Sequence, residues 1–128
     1  MIGYATLGTN DPDRAKAFYD ALLSEIGAKR VMELPDARNM VFYGFAMDKP
    51  MLAITRPYDG SRATPGNGGM IALALKSRED VDRVHAKAVA LGAADEGAPG
   101  LRGAAELGYY FAYFRDLDGN KLAVFRIG

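Results

Sequence analysis

The chain has 128 residues, 49% of them hydrophobic, which suits one domain with a single core. Sixteen basic residues balance sixteen acidic ones and alternate with them, so nothing indicates a basic patch for nucleic acid or an anionic membrane surface. The absence of cysteine excludes disulfides, thiolate ligands and thiol nucleophiles.

The first nine residues lack the basic and long apolar regions of a signal peptide, and no run approaches the roughly 18–20 apolar residues of a membrane span. A cytoplasmic chain with no membrane partner is therefore the expectation.

The first half of the chain predicts a strand, a helix and three strands. Residues 2–9 suit a strand, after which Asp11 is placed to cap a helix and Pro12 to occupy its first position. Gly27 is predicted to end that helix. One apolar stripe runs along it, formed by Ala15, Phe18, Tyr19, Leu22, Leu23 and Ile26. The strands that follow are predicted at 31–33, 40–46 and 51–55.

The second half repeats this order. Residues 69–75 suit a strand, Ser77 is placed to cap a helix, and Gly92 to end it. The predicted helix stripe is Val81, Val84, His85, Ala88 and Val89. Strands are predicted at about 93–96, 109–115 and 121–126, and an Asp-Gly step within 116–120 indicates a hairpin between the last two.

The two helix stripes superpose with a shift of 66 residues, from Ala15 to Val81. Such an internal duplication of one supersecondary unit predicts an α+β fold of two tandem βαβββ modules. The modules are expected at about 1–57 and 69–128. The glycine-rich residues 58–68 are expected to form a linker.

Several short sequence segments, taken in order along the chain, resemble the vicinal-oxygen-chelate superfamily, which includes glyoxalase I, bleomycin-resistance proteins and extradiol dioxygenases. They are the opening residues 4–11, the helix residues Phe18-Tyr19, and residues 116–121 (Asp-Leu-Asp-Gly-Asn-Lys). The resemblance covers essentially the whole chain. It implies a curled mixed sheet around a cleft with the helices outside, and a homodimer. The metal enzymes of this family hold a divalent metal with two His and one or two Glu from the first and last strands of the modules, and the resemblance points to the same positions here.

Carried onto this sequence, the family's metal-ligand positions fall at Tyr4, Ala53, Met70 and Ala123, none of which is His or a carboxylate. A second argument needs no family, because the chain has one His and no Cys. A site with two His and one carboxylate therefore cannot form within one subunit. His85 lies on an apolar helix stripe, where a core residue is expected far more often than a ligand. No metal and no cofactor are predicted.

The family's cleft would then be walled by apolar and hydroxyl groups suited to an aromatic or amphipathic small molecule. Strand alternation and the resemblance together select the candidate residues, and Arg56 and Arg115, at strand ends, are candidates to clamp a carboxylate or phosphate. The full set of ligand-binding candidates is Tyr4, Thr6, Tyr43, Ala53, Arg56, Met70, Tyr110, Tyr113, Arg115, Ala123 and Phe125.

Three functions stay open at this point. The leading hypothesis is a metal-free protein that binds a small organic ligand of unknown identity. The second is a metal-dependent lyase, isomerase or dioxygenase of glyoxalase type with non-standard ligands. The third is a non-catalytic interaction protein that uses its aromatic side chains for assembly.

Overall fold

The computed structural model describes residues 1–36 and 38–128. Within them the chain forms two compact units, Met1–Pro65 and Gly66–Gly128. Each unit contains one α-helix and a mixed four-stranded sheet that is not closed. The predicted α+β class and the predicted order of elements in two tandem βαβββ modules are both confirmed.

The first unit has its helix between the first and second of four strands. Strand β1 runs parallel to β4, and the order across the sheet is β1-β4-β3-β2. The elements are β1 (Tyr4–Gly8), α1 (Pro12–Ser24), β2 (Lys29–Leu34), β3 (Met40–Gly44) and β4 (Met51–Thr55).

Helix α1 begins as predicted. The Asp11 side chain accepts a hydrogen bond from the Arg14 backbone N–H at 3.1 Å, and Pro12 occupies the first turn. Five of the six predicted stripe residues are buried. The sixth, Ile26, follows the helix end at Ser24 and is partly exposed. Gly27, with φ at 80°, provides the left-handed turn that leads into β2.

The first sheet has one face against α1 and one face on the other side, called here the first open face. Tyr43 in β3 contacts the helix, since its ring lies 6.0 Å from that of Tyr19. Strand alternation then places Phe42 on the first open face, beside its partner Ala53 in β4. The ring of Tyr4 meets that of Phe42 edge to face at 5.1 Å. The first open face is therefore apolar at its centre.

The second unit repeats this plan in the order β5-β8-β7-β6, with β5 parallel to β8. A short 3₁₀ turn, Ala105–Leu107, precedes β7. The elements are β5 (Ile71–Ala74), α2 (Arg78–Ala90), β6 (Ala94–Leu101), β7 (Tyr109–Arg115) and β8 (Lys121–Ile127).

Helix α2 is capped by Ser77, whose Oγ accepts from the Asp80 backbone N–H at 3.1 Å. His85 on this helix is only 6% exposed, and its Nε2 lies 3.1 Å from Asp95 Oδ1 and 3.2 Å from the Tyr113 carbonyl oxygen. The predicted stripe is buried except for Val89, which is 42% exposed at the edge of the helix face.

Strand β6 is an edge strand and is longer than predicted. Its register with β7 shifts twice, around Gly97 and before Gly100. The Arg102 guanidinium donates to the carbonyls of Ala98 and Gly100, each at 2.8 Å. The glycine and proline residues within 97–100 disfavour a strand, which is why the sequence predicts a shorter one. An edge strand tolerates Pro99 because one side of it needs no ladder donor.

Across residues 1–36 and 38–128, no helix has the length and apolar character needed to cross a membrane.

Candidate functional site

The first unit contains a cavity of about 460 Å³ near the carboxyl ends of β1 and β4. The register of the two parallel strands aligns Thr6 with Ala53 and Gly8 with Thr55, so Tyr4, Thr6 and Thr55 point to the first open face. The chain beyond β4, residues 56–64, forms the opposite wall. The cavity is called here the first-unit pocket.

The wall formed by residues 56–64 is held to β1 by specific contacts. The Ala63 backbone N–H donates to Asn10 Oδ1 at 2.8 Å, and Asn10 Nδ2 donates to the Ala63 carbonyl at 3.1 Å. Ala63 also packs on Gly8, where an added Cβ would lie 3.0 Å from the Ala63 methyl carbon. A glycine at position 8 thus allows this close approach. Residues 58–68 as a linker stay a prediction, and within them Ala63 is fastened to the first unit.

The lining of the pocket combines apolar and polar side chains on both of its walls. Tyr4, which is 53% exposed, Met40 and Tyr58 provide aromatic and thioether surface. Hydroxyl groups come from Thr6, Thr55, Ser61 and Thr64. Pockets for small molecules commonly have this mixture and fall between about 300 and 1,000 Å³.

Charge in the lining is unbalanced, with Arg38, Arg56 and Arg62 against Asp59 among the described lining residues. The Arg38 guanidinium is engaged, since it donates to Asp36 Oδ2 at 3.0 Å and lies 5.4 Å from the centre of the Tyr58 ring. The hydrogen bond from Arg38 lowers the pKa of the Asp36 carboxyl.

Arg56 and Arg62 differ from Arg38. Neither guanidinium has a hydrogen bond or ion pair with any residue in 1–36 or 38–128. The Asp59 carboxylate instead accepts the Ser61 backbone N–H at 2.9 Å. The Arg56 backbone N–H donates to the Arg38 carbonyl at 2.9 Å, which fixes the start of the wall against the chain before β3.

Of the predicted site residues in the first unit, Tyr4, Thr6 and Arg56 line the pocket together. Ala53 is on the same face but fully buried, packed in a cluster with Met40 and Phe42. Tyr43 is on the other face, where its hydroxyl donates to Asp20 Oδ1 of α1 at 2.8 Å. Burial, then the Asp20 hydrogen bond, raise the pKa of Tyr43. A side chain that is buried and hydrogen-bonded in this way is not placed to contact a ligand.

The predicted residues in the second unit divide in the same way. Tyr110 faces α2, where its hydroxyl donates to Asp82 Oδ1 at 2.6 Å and its ring lies 5.2 Å from the Arg78 guanidinium carbon. Because strand partners share a face, Tyr113, Arg115, Ala123 and Phe125 lie on the face opposite α2. Met70 precedes β5 and is 45% exposed.

The face of the second sheet opposite α2 carries an aromatic stack flanked by cations. The rings of Phe111 and Phe125 stack at 4.8 Å, and that of Tyr113 follows Phe111 at 6.0 Å. Arg102 and Lys121 each lie over the Tyr113 ring, at 5.6 and 5.4 Å. Arg115 pairs with Glu96. These side chains contact one another across this face.

The four positions that the family resemblance predicts as metal-ligand positions carry side chains that do not fit a metal. Ala53 and Ala123 are fully buried methyl side chains with no donor atom, and Tyr4 and Met70 offer only a phenol and a thioether. In the part of the chain that the structure describes, no three His, Asp or Glu side chains are grouped to hold a metal ion. The absence of a metal cofactor stays a prediction.

Sequence reasoning missed Arg38, Met40, Tyr58 and Arg62 as pocket residues. The last two were assigned to the linker, because nothing in the sequence indicates that Asn10 binds the backbone of residue 63. Arg38 precedes β3 and reaches the pocket through its backbone contact with Arg56. No local sequence pattern predicts either contact.

The fold and the tandem modules define a class of protein, and comparisons agree on it. The sequence profile of the Glyoxalase/Bleomycin resistance protein/Dioxygenase superfamily matches residues 1–124. The chain belongs to this superfamily. A comparison with curated proteins finds no match.

Solved structures similar to this chain include a glyoxalase/bleomycin resistance protein from Albidiferax ferrireducens T118, which is 34% identical with a TM-score of 0.85 over 100% of this chain and 99% of that one. The lactoylglutathione lyase from Agrobacterium tumefaciens is 26% identical, with a TM-score of 0.67 over 98% and 92% of the two chains. A glyoxalase-related enzyme from Fulvimarina pelagi, 21% identical with a TM-score of 0.74 over 98% and 87%, shares the fold.

Proposed function

We propose that the protein binds a small organic molecule in the first-unit pocket and that binding does not require a divalent metal. The observation that carries this proposal is the pocket itself. Its volume, about 460 Å³, suits a small ligand, and its lining combines aromatic and thioether surface with hydroxyl and guanidinium groups. The positions where the family holds its metal lack suitable donors in this chain, which supports direct contacts as the source of affinity.

Tyr4 is central to the proposed binding mode. Its ring borders the pocket, is held edge to face by Phe42 and is 53% exposed, so it offers a positioned aromatic surface to a ligand. Stacking on such a ring contributes about 0.5–1.5 kcal/mol beyond area burial. Thr6, on the same strand face, adds a hydroxyl that can donate or accept.

The test is a thermal-shift screen of chelator-treated protein against small aromatic and amphipathic molecules. A ligand present at about 100 times its dissociation constant adds roughly 2.7 kcal/mol to stability. Compounds that stabilise the wild type are expected to lose their effect in Tyr4→Ala and to keep it in Tyr109→Ala, a matched control for an exposed tyrosine in the second unit. Hits that respond equally in both variants would contradict binding in this pocket.

A second candidate function is a metal-dependent lyase, isomerase or dioxygenase of glyoxalase type. The 26% identity to the Agrobacterium lactoylglutathione lyase favours it. The same chelator-treated protein separates the two functions when titrated with Ni²⁺, Zn²⁺, Mn²⁺, Co²⁺, Mg²⁺ and anaerobic Fe²⁺. A stabilising shift with one of these metals, together with turnover that a chelator removes, supports the enzyme and contradicts the metal-free site.

A homodimer in the cytoplasm belongs to the same proposal. Exposed apolar side chains such as Ile2, Phe45 and Met47 agree with an assembly but do not identify its interface. Sedimentation velocity tests the dimer, and a monomer at all protein concentrations would contradict it.

A further inference from the structure

The first-unit pocket is bordered by two solvent-exposed arginine side chains whose guanidinium groups have no acceptor among residues 1–36 and 38–128. Arg56 and Arg62 both border the cavity, and neither forms a hydrogen bond or ion pair with the described residues. Each guanidinium carries five N–H donors in a planar fork that matches the geometry of a carboxylate.

The third arginine of the pocket, Arg38, has its positive charge compensated within the protein. Arg38 is held by Asp36 through two guanidinium hydrogen bonds, at 3.3 and 3.0 Å, and rests over the Tyr58 ring. It therefore forms part of the wall. The one described acidic residue of the lining, Asp59, uses its carboxylate for the Ser61 backbone N–H.

The apolar side chains on the sheet wall of the pocket limit the shape of an anionic ligand. The ring of Tyr4 and the largely buried Met40 face the cavity from the sheet, whereas the arginines belong to the 56–64 wall. A ligand that satisfies both sets of side chains has a flat apolar body and an anionic end. A small inorganic anion would satisfy the arginines and leave the apolar side chains in contact with water.

We propose that the natural ligand of the first-unit pocket is a small aromatic carboxylate whose carboxylate is bound by Arg56 and Arg62 and whose ring packs on Tyr4. This inference rests on the proposed binding function and adds the chemical class of the ligand. Arg56 and Arg62 act as specificity-determining residues, because a neutral molecule of the same shape offers these exposed guanidinium groups no charged acceptor.

The experiment titrates the full chain with phenylacetate and with its neutral amide, phenylacetamide, and follows backbone amide NMR signals. Benzoate with benzamide, and indoleacetate with indoleacetamide, form further matched pairs. Concentrations reach about 10 mM, which detects a site of millimolar affinity. The carboxylate of at least one pair is expected to shift signals of β1 and of residues 56–64, with the amide bound at least about 10-fold more weakly.

Variants assign the effect to the two arginines. Arg56→Ala and Arg62→Ala are each expected to weaken carboxylate binding about 10-fold and to leave amide binding unchanged. Arg56→Lys is expected to recover only part of the loss, because lysine keeps the charge but not the fork. Arg83→Ala, which removes an arginine of α2 that is not in the pocket lining, is expected to change the affinity by less than about 2-fold.

The outcomes separate this inference from the proposed function. Equal binding of a carboxylate and its amide in the pocket, or carboxylate affinity unchanged in both arginine variants, would overturn the anionic ligand and keep small-molecule binding. No shift at β1 or 56–64 with any carboxylate would also overturn the anionic ligand. The proposed binding function is lost as well only if the neutral compounds and the thermal-shift screen fail at this pocket too. Stronger binding of inorganic phosphate than of every aromatic carboxylate would reject the aromatic part of the proposal.

Discussion

The two hydrogen bonds between Asn10 and Ala63 fasten the outer wall of the pocket, so Asn10→Ala should loosen it. The bonds measure 2.8 and 3.1 Å and are partly buried. A bond of this kind contributes about 0.5–1.5 kcal/mol net. Loss of both is therefore expected to lower the free energy of local opening of residues 57–64 by about 1–3 kcal/mol, while the sheet and α1 keep their own contacts.

Trypsin can report this opening, because the bond between Arg62 and Ala63 lies beside the fastened residue. The other arginine in the wall, Arg56, is followed by Pro57, a bond that trypsin does not cleave. When opening and closing are faster than cleavage, the rate follows the population of the open form. The cleavage rate at Arg62 is expected to rise about 5- to 150-fold in the variant.

The matched control is Asn67→Ala, an exposed asparagine shortly after the cleavage site with no described hydrogen bond. It is expected to leave cleavage at Arg62 within about 2-fold of wild type. Equal cleavage rates in Asn10→Ala and wild type, with unchanged circular dichroism, would refute the fastening role of Asn10.

Three further predictions concern stability and are measured by urea unfolding. Val84→Ala is expected to lower the free energy of unfolding by about 2–3 kcal/mol, because Val84 is fully buried. Val89→Ala on the same helix, where the side chain is 42% exposed, should change it by no more than about 0.5 kcal/mol. Equal losses of stability in the two variants would contradict the assigned helix face. Tyr43→Phe removes a hydrogen bond and is expected to cost about 1 kcal/mol at pH 7. Because the pKa of Tyr43 is raised, its contribution is present below the ordinary value of 10.0 and declines as pH rises above it, so wild type should lose stability there more steeply than the variant. The pKa of Asp95 is lowered, chiefly by a hydrogen bond from a backbone N–H and then by His85, so its contribution to stability should be lost as pH falls through and below 3.8. The same loss of stability in acid for wild type and Asp95→Asn would contradict this.

The fold could be predicted from the sequence because its signals are local and occur twice. Asp11 and Ser77 cap the helices, Gly27 and Gly92 end them with positive φ, and the last hairpin turns where Asp116 accepts backbone N–H groups. The sequence predicts a shorter strand β6, because its glycines and Pro99 are typical of a loop and only its pairing with β7 makes it a strand.

The candidate site could be predicted only in part. Alternation placed Tyr4 and Thr6 correctly on one strand face, since β1 is partly exposed. Alternation gives no such guidance in β3, because all five residues are buried and the polarity pattern does not distinguish the two faces. Only the chemistry of its phenol favours Tyr43 as a ligand-binding residue. Arg38 reaches the pocket through a backbone hydrogen bond with Arg56, and Arg62 through the hydrogen bonds of the Asn10 side chain to Ala63. These contacts join residues distant in sequence, which no periodic pattern encodes.

The shape of β6 has a consequence for solubility. An uncovered sheet edge offers a row of donors and acceptors on which another chain can add a strand, and this is a common start of aggregation. Along β6, Pro99 removes a donor, the two register shifts break the straight edge, and Arg102 occupies the carbonyls of Ala98 and Gly100. Replacing Arg102 and Pro99 would free two carbonyls and add a donor along this edge, so precipitation on storage is expected to increase.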